Sequence, residues 1–163
     1  MLLANRRAVR TAYPAELAAI LSVAKAQESR QWLSNWSGLN PGSTPMHELP
    51  ALARALGVGR ILLKDESVRS ELGSFKALGA PIALVRLILR LWPAQRMTAQ
   101  DLFAGSHRAL LRAFTVVSAT DGNHGKALAA AARSVGCRCV IVLHAHVSEE
   151  REQAIAAHGA RIV

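Results

Sequence analysis

The sequence predicts an α/β protein with a parallel sheet built from βαβ units behind an N-terminal helix, on three observations. Residues 114–119 and 139–143 are short apolar runs rich in β-branched side chains, an alanine-rich helical stretch at 126–135 separates them, and a second helix leads into an apolar start at 160–163. Earlier in the chain, Pro14-Ala15-Glu16 reads as a helix start, and Leu17, Ile20, Leu21 and Ala24 recur at helical spacing, giving one amphipathic helix to about Trp32. Residues 37–50 hold Gly38, Pro41, Gly42, Pro45 and Pro50 and are expected to form a connecting loop. Residues 52–56 form a short helix stopped at Gly57, and 60–64 a strand ending on Asp65-Glu66-Ser67. A helix follows the Gly73-Ser74-Phe75-Lys76 turn and runs to Leu91, with Pro81 near its start and Trp92-Pro93 at its stop. Residues 94–113 read as a polar connection, and 148–158 as the last helix.

With 163 residues, 51% of them hydrophobic, the chain has room for one core and is expected to form a single domain over residues 1–163. The formal charge of +9 comes mostly from arginines spread from Arg6 to Arg161. A nucleic-acid footprint clusters its cations. The densest run, Arg6-Arg7-Ala8-Val9-Arg10, has no interleaved aromatics, so solvated faces are expected and no nucleic-acid partner. Residues 77–92 are interrupted by Arg86 and Arg90 and fall short of the roughly 20 apolar residues that span a bilayer, so a buried helix is expected and no membrane. Cys137 and Cys139, the only cysteines, define no disulfide framework and fit packed thiols in a reducing cytoplasm. His144 and His146 lack a third ligand at useful spacing, so no metal site is expected.

In parallel α/β sheets, ligands gather beyond the carboxyl ends of the strands, where helix N-termini present free N–H groups. Two segments have that placement. One is Lys64-Asp65-Glu66-Ser67 with the nearby Gly73-Ser74-Phe75-Lys76-Ala77-Leu78-Gly79. The positive end of a helix disfavours an ammonium, and a neutral amine is what carbonyl condensation requires, so Lys76 is a candidate Schiff-base lysine. The plainer reading is an exposed lysine in a first turn. The other segment, Ala119-Thr120-Asp121-Gly122-Asn123-His124-Gly125, joins a strand to a helix; taken alone it also reads as an Asx turn capping that helix.

Together these segments resemble the diaminopropionate ammonia-lyase branch of the fold-type II, tryptophan synthase β-like, pyridoxal-phosphate enzymes. The resemblance also takes in Ser43-Thr44-Pro45-Met46-His47-Glu48-Leu49-Pro50 and Gly136-Cys137-Arg138-Cys139-Val140-Ile141, and so nearly the whole chain. Ser-Phe-Lys and Gly-Asn-His are shared by many amino-acid dehydratases of this fold; Asp121 and the Leu-Gly-Ser-Phe-Lys-Ala-Leu-Gly string mark the ammonia-lyase. The resemblance implies a partial fold-type II architecture and pyridoxal 5'-phosphate as cofactor. It implies that Lys76 holds the cofactor as a Schiff base, that Asn123 hydrogen-bonds its phenolic oxygen, and that Phe75, Gly122 and His124 line its pocket. His124 serves equally well as a turn cap. Lys76 would remove the α-proton of the L substrate and Asp121 that of the D substrate, with pyruvate and ammonia as products.

The implied partner is a small amino-acid substrate, and the full-length family a homodimer. The family's glycine-rich phosphate loop and its partner for the pyridine nitrogen lie downstream of residue 163, so the expectation is a truncated member, inactive by itself. Glu71 and Pro81 depart from the family pattern, and Glu71 is expected to crowd the site. The competing readings are a serine or threonine dehydratase of the same fold, against which Asp121 argues, and a non-catalytic remnant.

Overall fold

A computed structural model describes residues 5–9 and 11–163; Arg10, the last arginine of the basic run, lies outside the described residues. The N-terminal helical stretch is two helices, α1 (Ala15–Ala18) and α2 (Val23–Leu33). They separate because Ser22 is extended, at φ −153° and ψ 169°, and turns its hydroxyl to cap α2, its Oγ accepting from Lys25 N at 3.3 Å. The next segment is not all loop: β1 (Met46–Glu48) lies within it, followed by α3 (Pro50–Ala55), and β1 pairs antiparallel with β2 (Leu62–Lys64), Met46 opposite Lys64.

The helix expected after Ser74 starts as a 3₁₀ turn, Phe75–Leu78, before α4 (Ala80–Leu91). Pro81 sits in the first turn of α4, where a missing N–H costs nothing, and is buried with Ile82, Leu84, Val85 and Ile88. The stretch read as a polar connection contains a second 3₁₀ turn (Pro93–Gln95), α5 (Ala99–Phe103) and α6 (Arg108–Leu111). α5 is fixed by a capping box in which Thr98 Oγ1 accepts from Asp101 N at 3.1 Å and Asp101 Oδ2 accepts from Thr98 N at 3.1 Å. Leu102, Phe103 and Leu111 enter the core, and Phe103 stacks on Trp36 with ring centroids 6.0 Å apart.

The remainder follows the expected βαβ pattern: β3 (Thr115–Ala119), α7 (Asn123–Val135), β4 (Arg138–Val142), α8 (Glu149–Ala156) and β5 (Arg161–Ile162). The three strands form a parallel sheet in the order β3-β4-β5, with Val116 opposite Cys139 and Ile141 opposite Ile162. α7 is the hub of the fold. It packs on α4, α5, α8, β3, β4 and the Phe75–Leu78 turn. Gly136 ends it in the left-handed region at φ 86°. Cys137 falls in that turn rather than on the strand, while Cys139 is buried on β4; both are free, and burial pushes each thiol up to about 11. Among the described residues, no helix is long and apolar enough to cross a membrane.

The polar strand end after β2 is a knot of mutual contacts. Glu66 accepts from Arg69 Nε at 2.8 Å and from the Thr44 hydroxyl, Lys64 donates to the Thr44 carbonyl, and Arg69 Nη1 donates to the Gly42 carbonyl at 2.9 Å. These bonds tie residues 42–44 to 64–69. The Arg69 guanidinium first, and then the Thr44 hydroxyl, hold the Glu66 carboxyl at about 2 against an ordinary 4.5. Because the folded value lies below the unfolded one, this pair stabilises the protein above pH 4.5, and the stabilisation is lost as pH falls toward about 2. Urea midpoints measured across that window are expected to fall, and to fall less in Glu66→Gln. A variant with the same acid limb as the parent removes Glu66 from the account.

Candidate functional site

Three strand ends and the turns after them place the chemistry-bearing residues. After β3 the chain turns through Thr120, Asp121 and Gly122 and enters α7 at Asn123 and His124, with Thr120 N donating to Val142 O at 3.1 Å so that the turn stays tied to β4. Beyond β4 come His144 and His146, both exposed, the His146 N–H donating to His144 Nδ1 at 3.1 Å. His144 Nε2 stands 3.9 Å from Asp121 Oδ2, so the ends of β3 and β4 meet through this pair. Among the described residues, no group of three or more His, Cys, Asp or Glu is placed to hold a metal.

Gly125 determines how closely the start of α7 approaches the sheet. A Cβ there would lie 2.9 Å from Thr120 Cγ2 and 3.3 Å from both Ile141 Cγ2 and Ile155 Cδ1. The first turn of α7, which carries Asn123 and His124, therefore packs this closely against Ile141 of β4 and Ile155 of α8 only because position 125 has no side chain. Gly122 has nothing within 4 Å of where its Cβ would be, which leaves its backbone open to a ligand.

Asp121, Gly122 and Asn123 line an open cavity of about 460 Å³ with Lys126, Glu150 and Arg151. Sequence reasoning missed the last three. The signal was available, since α8 begins beyond the carboxyl end of β4 and the rule that singles out Asp121 applies equally to its first turn. Phe75 and Lys76 are not among the lining residues. They sit on the Phe75–Leu78 turn, which packs against α7. Ser74 Oγ caps that turn, accepting from Lys76 N at 3.4 Å. Lys76 is half-buried, and its Nζ stands 4.7 Å from the centroid of the exposed Phe75 ring. Among the described residues, that ammonium has no carboxylate or hydrogen-bond partner, in contrast to Lys25 on Glu28 at 3.2 Å and Lys64 on the Thr44 carbonyl. Glu71 is exposed and lines a different cavity, together with Trp36 and Arg108.

Residues 38–163 match the family model described as pyridoxal-phosphate dependent enzyme. The diaminopropionate ammonia-lyase of Escherichia coli K12 is 34% identical over 148 residues, which are 91% of this chain and 36% of that protein. The enzyme of that name from Salmonella typhimurium is 35% identical over 129 residues, 74% of this chain and 30% of that one. This chain thus spans about a third of the length of these relatives. The crystal structure of the Escherichia coli enzyme in its apo form superposes with a TM-score of 0.72 at 32% identity, covering 87% of this chain and 37% of that one. Its complex with an aminoacrylate-PLP azomethine reaction intermediate superposes with a TM-score of 0.68 at 33% identity, covering 87% and 34%. With the family model running through both the Lys76 turn and the start of α7, the chain belongs to the pyridoxal-phosphate-dependent enzymes.

Proposed function

We propose that this chain carries the lysine-bearing side of the active site of a lyase that converts 2,3-diaminopropionate and one water into pyruvate and two molecules of ammonia. The observation that carries the reading is the 34% identity to diaminopropionate ammonia-lyase across 91% of the chain. The residues present fit pyridoxal 5'-phosphate on its aldehyde and ring sides. Lys76 presents an amine with only an aromatic ring beside it, the Asn123 amide has no internal partner among the described residues, and the Gly122 backbone is open.

When bound, the coenzyme supplies an electron sink for negative charge at the substrate's Cα. Lys76 Nζ would hold the coenzyme aldehyde, with Phe75 beside the amine and Gly122 offering open backbone at the start of α7. Asn123 would donate its side-chain N–H to the coenzyme's ring oxygen. His124, half-buried in the first turn of α7, closes the wall beside it. Lys76 would take the Cα proton of the L isomer and Asp121 that of the D isomer. The protein works on a small amino acid in the cytoplasm and, at full length, as a homodimer; the two free thiols accord with a reducing compartment.

The test is a chimera in which this chain replaces the matching third of the Escherichia coli enzyme, assayed for pyruvate. Turnover of diaminopropionate in preference to serine and threonine is expected. A folded chimera that prefers serine or threonine assigns the chain to a dehydratase instead.

A further inference from the structure

Four arginines that are dispersed in sequence, Arg108, Arg112, Arg133 and Arg138, gather at one edge of the fold. An open cavity of about 510 Å³ is lined by Arg108, Arg112, Arg133, Arg138 and His158. It adjoins a second, of about 900 Å³, which shares Arg108, Arg133 and His158 and whose lining holds a single carboxylate, Glu71. These basic residues lie at the amino ends of the strands: Arg112 precedes β3, Arg138 begins β4, and His158 comes before β5. Asp121 and Asn123 lie at the carboxyl ends. α7, with 13 residues, separates the two edges by roughly 20 Å.

Arg108 is held in place by two glycines. A Cβ on Gly136, at φ 86°, would fall 2.4 Å from Arg108 Cγ, and one on Gly105, at φ 73°, would fall 3.2 Å from Arg108 Nη2. The arginine stem therefore lies across backbone that has no side chain to obstruct it. Its head makes only two long bonds, 3.4 Å from Nη2 to the carbonyls of Arg133 and Ser134 at the end of α7. A guanidinium has five donors, and among the described residues the others are unused. Among the described residues, Arg112 and Arg133 are exposed and without carboxylate partners, and the Arg138 guanidinium donates only to the Ala113 carbonyl at 2.7 Å. The His158 imidazole is held below its ordinary value by burial first and then by the positive charges of Lys126, in the first turn of α7, and Arg133.

We propose that this arginine-lined edge is a binding site for a small phosphate-bearing anion, separate from the coenzyme site. Planar guanidinium forks match tetrahedral phosphate oxygens, and cavities of this size take small molecules. The ligand is inorganic phosphate or the phosphate end of an organic ester. The site stands on Arg108 and its neighbours and is independent of the reading of Lys76.

Equilibrium dialysis of radiolabelled inorganic phosphate against this chain, with ionic strength held constant by sodium chloride, tests the proposal. Saturable uptake of one phosphate per chain is expected. Arg133→Gln and Arg112→Gln, both on the surface, are expected to weaken it roughly tenfold each, while Arg54→Gln on α3 leaves it unchanged. Adenosine diphosphate that displaces phosphate at lower concentration identifies an organic ester as the ligand class; displacement only at equal or higher concentration identifies the free ion. Uptake that rises linearly without saturation, or Arg133→Gln binding that equals the parent's, overturns the site.

Discussion

Asp121→Asn in the chimera is expected to lower pyruvate formation from D-diaminopropionate by about 10²- to 10⁴-fold and to leave the L isomer within about twofold. The size follows from what an amide removes. It keeps the shape of the side chain and deletes the proton acceptor, and a positioned general base contributes about that factor. Asp121 is well exposed, with His144 Nε2 3.9 Å from its carboxylate and Lys126, Glu150 and Arg151 lining the same open space, so the substitution opens no void in the core and leaves no buried partner unsatisfied. Initial rates on each enantiomer read the effect directly. Equal losses on both isomers mean that Asp121 shapes the turn rather than moves a proton.

The largest effect on stability is expected at Ile141. It is fully buried near the carboxyl end of β4, the middle strand, with its Cγ2 close to Gly125 of α7 and to the same ground that Ile155 of α8 fills. Ile141→Ala removes the side chain on which α7 rests and is expected to cost about 2 to 5 kcal/mol in urea unfolding. Because Asn123 and His124 begin that helix, coenzyme affinity falls with it. A loss below about 1 kcal/mol indicates that the sheet collapses around the gap, and that the seat of α7 is not what positions Asn123.

The parallel sheet was legible because β3 and β4 are β-branched runs separated by an uninterrupted alanine-rich helix with a glycine at its end. Each of those signals is local. β1 was hidden because it is three exposed residues inside a proline- and glycine-rich segment, and it is a strand only by pairing with β2. α5 could have been read: Thr98 and Asp101 are spaced as a capping box, and the polarity around them outweighed the signal. The same holds for Ser22, a capping residue inside an apparently continuous helical pattern.

In the candidate site, the 121–124 turn and the Lys76 turn stood out because each packs several chemistry-bearing residues into a short string after a strand. Lys126, Glu150 and Arg151 did not, since they join Asp121 only once α7 and α8 are laid side by side. The basic edge is the clearest case. Arg108, Arg133 and His158 are separated by about 25 residues each, and the sequence showed scatter where packing produces a cluster.

The most direct measurement is to incubate the chain with pyridoxal phosphate, reduce it with borohydride and map the modified lysine. Only Lys25, Lys64, Lys76 and Lys126 compete, and the first two are already engaged by Glu28 and by the Thr44 carbonyl, which leaves Lys126 as the fair comparator. The account predicts that the coenzyme is found on Lys76 and that Lys76→Ala loses it. Labelling spread evenly over all four, or concentrated on Lys126, contradicts it.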